Sequence, residues 1–431
     1  MKTKRKSFYK FLLFWLVILP IYQDSPLSKI LGAAGYSVLM PVALILITLY
    51  ILIKGKIPRE ERLNELVNLG IYICGISAVA VAVWAVAGNS LTVVGEFLPI
   101  KAVKVCLQYF SYPSYIGLVL ICARKVGTEC IERYAYYTLL VLTILCIIER
   151  QQIPYAFQKL HSAGTFPYWR VRLLTLESSW TAMMIYVYSF IALYYGLRKK
   201  KEAIVGSSVL CAAILILFSG AKSLMAIVGI TLVLFVLFLS KHMNKKIYTR
   251  LLICLFIGII FAIMMLPNLI SAVQSDIHNY TSVATRGYTA LIGIAIGIMI
   301  PTGVGGAVYL GVFPEVMRKY LYLFDRLPLK LDTSEIVSLV TAETDEALTV
   351  KSGLLHYNMY WGILGSAYLT RNFMKVSKAL KKNHVYNNEL LRAVFWGAVI
   401  LVTFACNFSF EFWLLYIYLI CLSDSYIRKS L

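Results

Sequence analysis

Twelve apolar runs separated by short basic clusters limit what this chain can fold into. They fall at about residues 11–22, 30–53, 67–87, 101–123, 134–149, 177–197, 203–218, 223–240, 251–272, 352–370, 389–406 and 409–423. A run of about 20 apolar residues is what an α-helix needs to cross a bilayer. In lipid every backbone N–H and C=O must pair within the protein, so open strands are forbidden and such runs become helices. The expected fold is therefore all-α: a polytopic membrane helical bundle, a single integral membrane domain over 1–431, with about twelve transmembrane helices. Composition agrees, because only 15% of residues are charged, whereas a soluble domain carries about 25%. No segment is long or polar enough to be a separate soluble domain, and no repeat of fixed period is present.

The charge surplus reports topology first. The chain holds 42 Lys+Arg against 21 Asp+Glu, a formal net charge of +21. In a soluble protein this would suggest nucleic acid; here it is expected to report topology instead. Cytoplasmic loops of membrane proteins concentrate Lys and Arg. With the N-terminus inside, 28 of the 42 basic residues fall on the inner side, including Arg59, Arg62, Arg124, Arg198 to Lys201, Arg371 and Lys375, and 14 remain outside. Both termini are then expected to be cytoplasmic. The first apolar run follows a basic stretch but lacks a small-residue cleavage site before Pro20, so it reads as an uncleaved span rather than a signal peptide. The nine cysteines show no C-x-x-C spacing, so neither a disulfide framework nor a zinc site is expected.

Two outer loops stand out, at 150–176 and 271–351. The second spans some 80 positions, and connections of such length usually carry function or short helices of their own. Within it, 287–300 is apolar enough to lie on, or dip into, the membrane. Treating it as a full span would invert everything downstream and place the basic stretch 371–382 outside.

Ionisable groups at a membrane are costly and are functional candidates by default. On the outer side Arg170, Arg172, Glu177, Lys222 and Arg286 are expected to converge, with His356 just inside the next span. Arginine presents a planar fork that matches phosphate oxygens, and lysine a point charge. The same residues could instead snorkel to headgroups. His356 is a candidate general base near neutral pH, or an interhelical hydrogen-bonding group beside Gly362 and Gly365. Glu343, Asp345 and Glu346 are competing bases. The Gly303-Val304-Gly305-Gly306 turn lacks both the G-x-G-x-x-G and the P-loop patterns and reads as a membrane-surface turn, with N–H groups that could approach a diphosphate. Tyr168, Trp169 and Trp180 suit either sugar stacking or an interfacial aromatic belt.

Four stretches, in order, resemble the bacterial polysaccharide polymerases and O-antigen ligases, the Wzy-like family. Arg172-Leu-Leu-Thr-Leu-Glu177-Ser178-Ser179-Trp180 resembles an Arg followed by Glu-Pro-Ser at the start of a span, with Ser178 in place of the usual Pro. Phe218 to Ser223 resembles the family's small, polar turn between adjacent spans. Thr285-Arg286-Gly287, continuing to Pro301-Thr-Gly303-Val-Gly305-Gly306, resembles the opening of its large outer loop. His356-Tyr357-Asn358-Met359-Tyr360 resembles its His-x-Asn entry into the next span. Together they cover about 170–365, while the first 150 residues match in hydropathy alone.

The resemblance implies a metal-independent membrane glycosyltransferase of the bacterial cytoplasmic membrane, needing neither nucleotide sugar nor cofactor. It would pass a glycan from an undecaprenyl diphosphate carrier to an acceptor sugar hydroxyl, for capsule, exopolysaccharide or O-antigen. Arg172 and Arg286, with Arg170 and Lys222, would hold the diphosphate; His356 would orient or deprotonate the acceptor; Glu177 and Asn358 would contact substrate or fix an arginine. Membrane lipid, a chain-length regulator and a flippase are the partners it implies, and nucleic acid is not among them. A ligase would use a different acceptor. The competing classes are a transporter or flippase, which would show internal repeats and midplane polar groups, and a lipid-phosphosugar transferase using Asp24 in the first outer loop.

Overall fold

The computed structural model describes residues 2–31, 35–55, 59–162, 167–239, 249, 281–325, 334–341, 348–350, 352–381 and 386–430. The apolar run expected at 251–272, and Glu343, Asp345 and Glu346, lie outside them. In chain order the helices are α1 (Lys2–Ile18), α2 (Ser28–Leu31), α3 (Leu39–Lys54), α4 (Glu61–Val86), α5 (Leu98–Val126), α6 (Glu129–Gln152), α7 (Ser178–Lys199), α8 (Glu202–Ser219) and α9 (Lys222–Leu239). They continue as α10 (Thr281–Met299), α11 (Gly305–Asp325), α12 (Ser334–Val340), α13 (Gly353–Lys381), α14 (Tyr386–Phe404) and α15 (Phe410–Ser430). The described residues are thus helical almost throughout, apart from a two-stranded antiparallel hairpin, Thr92–Val93 with Glu96–Phe97.

Among the described residues, five helices are long and apolar enough to cross a membrane: Glu61–Val86, Leu98–Val126, Glu129–Gln152, Trp180–Lys199 and Glu202–Ser219. Their boundaries follow local chemistry. α1 stops before Pro20, whose ring cannot continue a helix. α8 ends on Gly220 in the left-handed conformation, φ 58°, which lets α9 start two residues later as the partner of an αα-hairpin.

The helices sort by burial. α15 is buried on every side from Phe412 to Leu422, as are much of α7 and the middle of α5, the pattern of helices at the centre of a bundle. α3, α4 and α8 instead expose Leu52, Val79, Val83 and Leu217, an apolar perimeter suited to lipid rather than water. Tyrosine hydroxyls tie the centre together by donating to backbone carbonyls of other segments. Tyr115 reaches Leu16 at 2.9 Å, Tyr109 reaches Leu66 at 3.0 Å and Tyr112 reaches Phe408 at 3.1 Å. A buried phenol needs such a partner.

One end of the bundle holds several of the basic residues expected inside, paired with acids. Arg124 pairs with Glu60 at 3.3 Å, Lys199 with Glu129 at 2.7 Å and Lys375 with Glu61 at 2.7 Å, while Arg198 pairs with buried Glu132. These residues come from five different helix ends and the connection before α4, so the chain returns to this end repeatedly.

The long loop expected at 271–351 contains α10, α11 and α12. α10 packs along α13 and α11 against α4 and α5, forming a helical hairpin whose tip is the 300–304 turn. That tip reaches the middle of α4: Tyr72 donates to the Thr302 carbonyl at 3.0 Å, and the Gly306 N–H donates to Ser77 at 2.8 Å. The dipping segment foreseen at 287–300 is therefore one arm of a deep hairpin.

Candidate functional site

At the end of the bundle opposite those ion pairs, a cavity of about 540 Å³ opens between the starts of α3, α5, α13 and α15 and the segment leading into α7. Its polar wall includes Lys101, Lys104, Glu96, Glu177, Arg286 and His356. Its apolar wall includes Tyr112, Trp180, Tyr309, Tyr357, Tyr360 and Phe408. This volume and mixture suit a ligand with charged and ring-shaped parts.

Arg286 stands on the second turn of α10, where its guanidinium joins two other elements. It donates to the Ala405 carbonyl at 2.9 Å, just past the end of α14, and pairs with Glu177 at 3.5 Å. Glu177 is the residue immediately before α7. Pairing a cation with the carbonyl end of a helix is favourable through the helix dipole, so the arginine is both anchored and directed toward the cavity.

His356 sits on the first turn of α13, whose start is pinned to the α14–α15 connection. The Gly353 N–H donates to the Cys406 carbonyl at 2.8 Å, and a side chain on Gly353 would meet the Phe408 nitrogen at 2.5 Å. The imidazole is half-buried. Its Nδ1 lies 3.3 Å from the Val350 N–H, and its Nε2 bonds the Tyr360 hydroxyl.

The other expected residues are distributed differently. Arg172 is buried outside the cavity lining, 3.8 Å from Asp24 and with its guanidinium 4.7 Å over the Tyr168 ring. Its backbone is held as firmly: Glu149 accepts the N–H groups of Arg172 and Leu173 at 3.0 and 2.7 Å. The Arg172 carbonyl accepts Thr175 and Thr181 hydroxyls at 2.7 and 2.9 Å. Thr175 also reaches the Glu177 carbonyl at 2.8 Å, so Arg172 shapes the loop that delivers Glu177. Arg170 is exposed. Lys222 opens α9, and its side chain lies outside the described residues.

Asn358 faces α10, donating to the Gly293 carbonyl at 2.9 Å and accepting from Ser366 at 2.7 Å; it is a helix-packing residue in this arrangement. Asp24 is fully buried, bonded to His161 at 2.7 Å and to the Ser162 N–H at 3.2 Å. It ties the two loops behind the cavity and does not line it. Burial raises its pKa, but the hydrogen bonds from His161 and Ser162 outweigh that and hold the carboxyl below its ordinary range.

The glycine turn has another use than cradling an anion. The Val304 N–H donates to the Met359 carbonyl at 2.8 Å and the Gly303 N–H to Ile300 at 2.8 Å, so these donors are already engaged within the protein.

Lys101, Lys104 and Glu96 were not among the residues expected at the site. Glu96 lies in the hairpin between α4 and α5 and the two lysines on the first turns of α5, where Lys104 pairs with Glu96 at 3.2 Å. The usable signal was two lysines spaced i, i+3 at the start of a span, which places both on one helical face. Among the described residues no group of three or more His, Cys, Asp or Glu is placed to hold a metal ion. No family model matches this chain, and no curated protein matches it in sequence.

Proposed function

We propose that this protein transfers a glycan from a lipid diphosphate carrier to the hydroxyl of an acceptor sugar, polymerising oligosaccharide repeat units. In this reading the chain crosses the bacterial cytoplasmic membrane about twelve times, both termini are cytoplasmic, and the cavity opens at the outer face. One observation carries it: the cavity brings Arg286, Lys101 and Lys104 together with His356 and five or more aromatic rings, at the end of the bundle opposite the clustered ion pairs. The cations suit a diphosphate and the charge that grows as it leaves. Tyrosine and tryptophan faces suit sugar rings. His356 would orient a substrate oxygen or take its proton, Glu177 would fix Arg286 or contact sugar, and Arg172 would act through the loop it holds. The carrier's tail would lie against the apolar perimeter.

Purified protein in liposomes, given an undecaprenyl-diphosphate-linked oligosaccharide, is expected to yield a polymer ladder with neither ATP nor an ion gradient. Lipid-linked glycan that crosses the bilayer without being lengthened would reject this reading.

A specific feature favours a transporter as the second reading. α13 breaks at Gly362, φ 65° and ψ −173°, opposite a hairpin tip at mid-bundle, and discontinuous helices beside hairpins recur at transporter substrate sites. The same liposome experiment separates the two.

A further inference from the structure

The partners of His356 fix where its proton sits, and with it the kind of help the ring can give. A backbone N–H can only donate, so His356 Nδ1, facing the Val350 N–H at 3.3 Å, is the ring's acceptor. The single proton of the neutral ring is then on Nε2, which donates to the Tyr360 hydroxyl oxygen. The Tyr360 ring lies against Tyr309, centroids 5.1 Å apart, and both tyrosines line the cavity. To act as a base, the ring would have to take a proton on Nδ1, setting one N–H against another. The groups facing the ring are Tyr309, Tyr357 and Tyr360, and the charge that acts on it is the Lys101 ammonium, a like charge for an imidazolium.

Resting on the glycosyl-transfer reading, we infer that His356 is a positioning donor, not the base, and that the Tyr360 hydroxyl it orients presents its O–H to the departing diphosphate. As the bond between the anomeric carbon and the diphosphate oxygen breaks, its electron pair stays on that oxygen, where the O–H donor stabilises the charge. The acceptor oxygen bonds the anomeric carbon, and its proton passes to the Glu177 carboxylate, the cavity acid beside Arg286. The other cavity acid, Glu96, is held through both oxygens by Lys104, at 3.4 and 3.2 Å.

Glutamine at position 356 keeps one donor and one acceptor but cannot take up a proton. His356→Gln is therefore expected to stay within about tenfold of the wild-type polymerisation rate, while His356→Ala and Tyr360→Phe each lose about a hundredfold, the scale of one lost transition-state donor. His356→Gln as inactive as His356→Ala, alongside an active Tyr360→Phe, would overturn the assignment. A second measurement is independent of any reaction. With ¹⁵N-histidine in the folded protein, the signals that disappear in His356→Gln should show a bare Nδ1 and a protonated Nε2 from about pH 6 to pH 8. A protonated Nδ1 in that range rejects the donor role even if polymer forms. The expected ¹⁵N pattern with no polymer from wild-type protein would reject the glycosyl-transfer reading alone.

Discussion

The Pro301 carbonyl and Gly362 are in backbone contact, where the tip of the α10–α11 hairpin fills the break in α13. The break frees the Met359 carbonyl and the Leu364 N–H, and the tip satisfies both, through Val304 at 2.8 Å and Pro301 at 3.2 Å. Irregular backbone deep in a membrane bundle is tolerated only when protein or a water-filled cavity satisfies it. His356 and Tyr360 lie on the segment just before the break, so this contact also sets where the site's side chains stand.

Gly362→Ala should destabilise the fold severely. Its dihedrals belong to a region essentially reserved for glycine, and an added Cβ would lie 2.0 Å from the Pro301 oxygen. A cost of about 3 kcal/mol or more is expected, read as a lower thermal midpoint in detergent. Gly229→Ala is the control: a Cβ there meets nothing within 4 Å, and alanine gains about 0.5–1 kcal/mol in a helix.

Arg286→Ala should abolish most polymerisation. A charge-assisted hydrogen bond contributes about 1.5–3 kcal/mol, which corresponds to about 10–150-fold in rate. Arg286→Lys keeps the charge without the fork and should fall between. Lys101→Ala and Lys104→Ala should each cost about tenfold. Chain-length ladders from membranes with matched protein levels decide this, and a wild-type ladder from Arg286→Ala would remove the diphosphate from this cavity.

Acid should loosen the two loops behind the cavity. The folded Asp24 carboxyl titrates below its ordinary value, so its contribution is present above the unfolded value of about 3.9 and is lost as pH falls through the lower, folded one. Asp24→Asn should flatten the acid limb of a stability-against-pH curve. Asp24→Ala, which leaves Arg172 buried without its acid, should cost about 3–5 kcal/mol at neutral pH. An unchanged acid limb in Asp24→Asn would show that the network does not respond as a unit.

Membrane orientation can be read by cysteine labelling in intact cells. Asn89→Cys, in the exposed connection after α4, should react with an impermeant maleimide, and Lys201→Cys, between α7 and α8, should react only after permeabilisation. The reverse pattern would turn the protein over and put the cavity on the cytoplasmic side.

Much of the helical layout was legible because apolar run length and interrupting charge are local properties. The expected run at 134–149 lies within α6, 177–197 matches α7, 203–218 matches α8 and 389–406 overlaps α14. The i, i+3 pair Lys101 and Lys104 is equally local, but nothing nearby in sequence marks it as sharing a cavity with Arg286, 185 positions from Lys101.

The sequence by itself determined a helical chain, its main apolar helices and the basic residues that collect at one end, because lipid forces backbone pairing into helices and charge away from the hydrocarbon. Tertiary structure decided which charges meet. Arg286, Glu177 and His356 share one cavity because the α10–α11 hairpin, the start of α7 and the start of α13 converge there. Arg172 and Asp24 are drawn into a buried tie behind it. Such meetings depend on the helices' packing order and on a break at Gly362 closed by a distant turn, and long-range packing leaves no periodic trace in a single sequence.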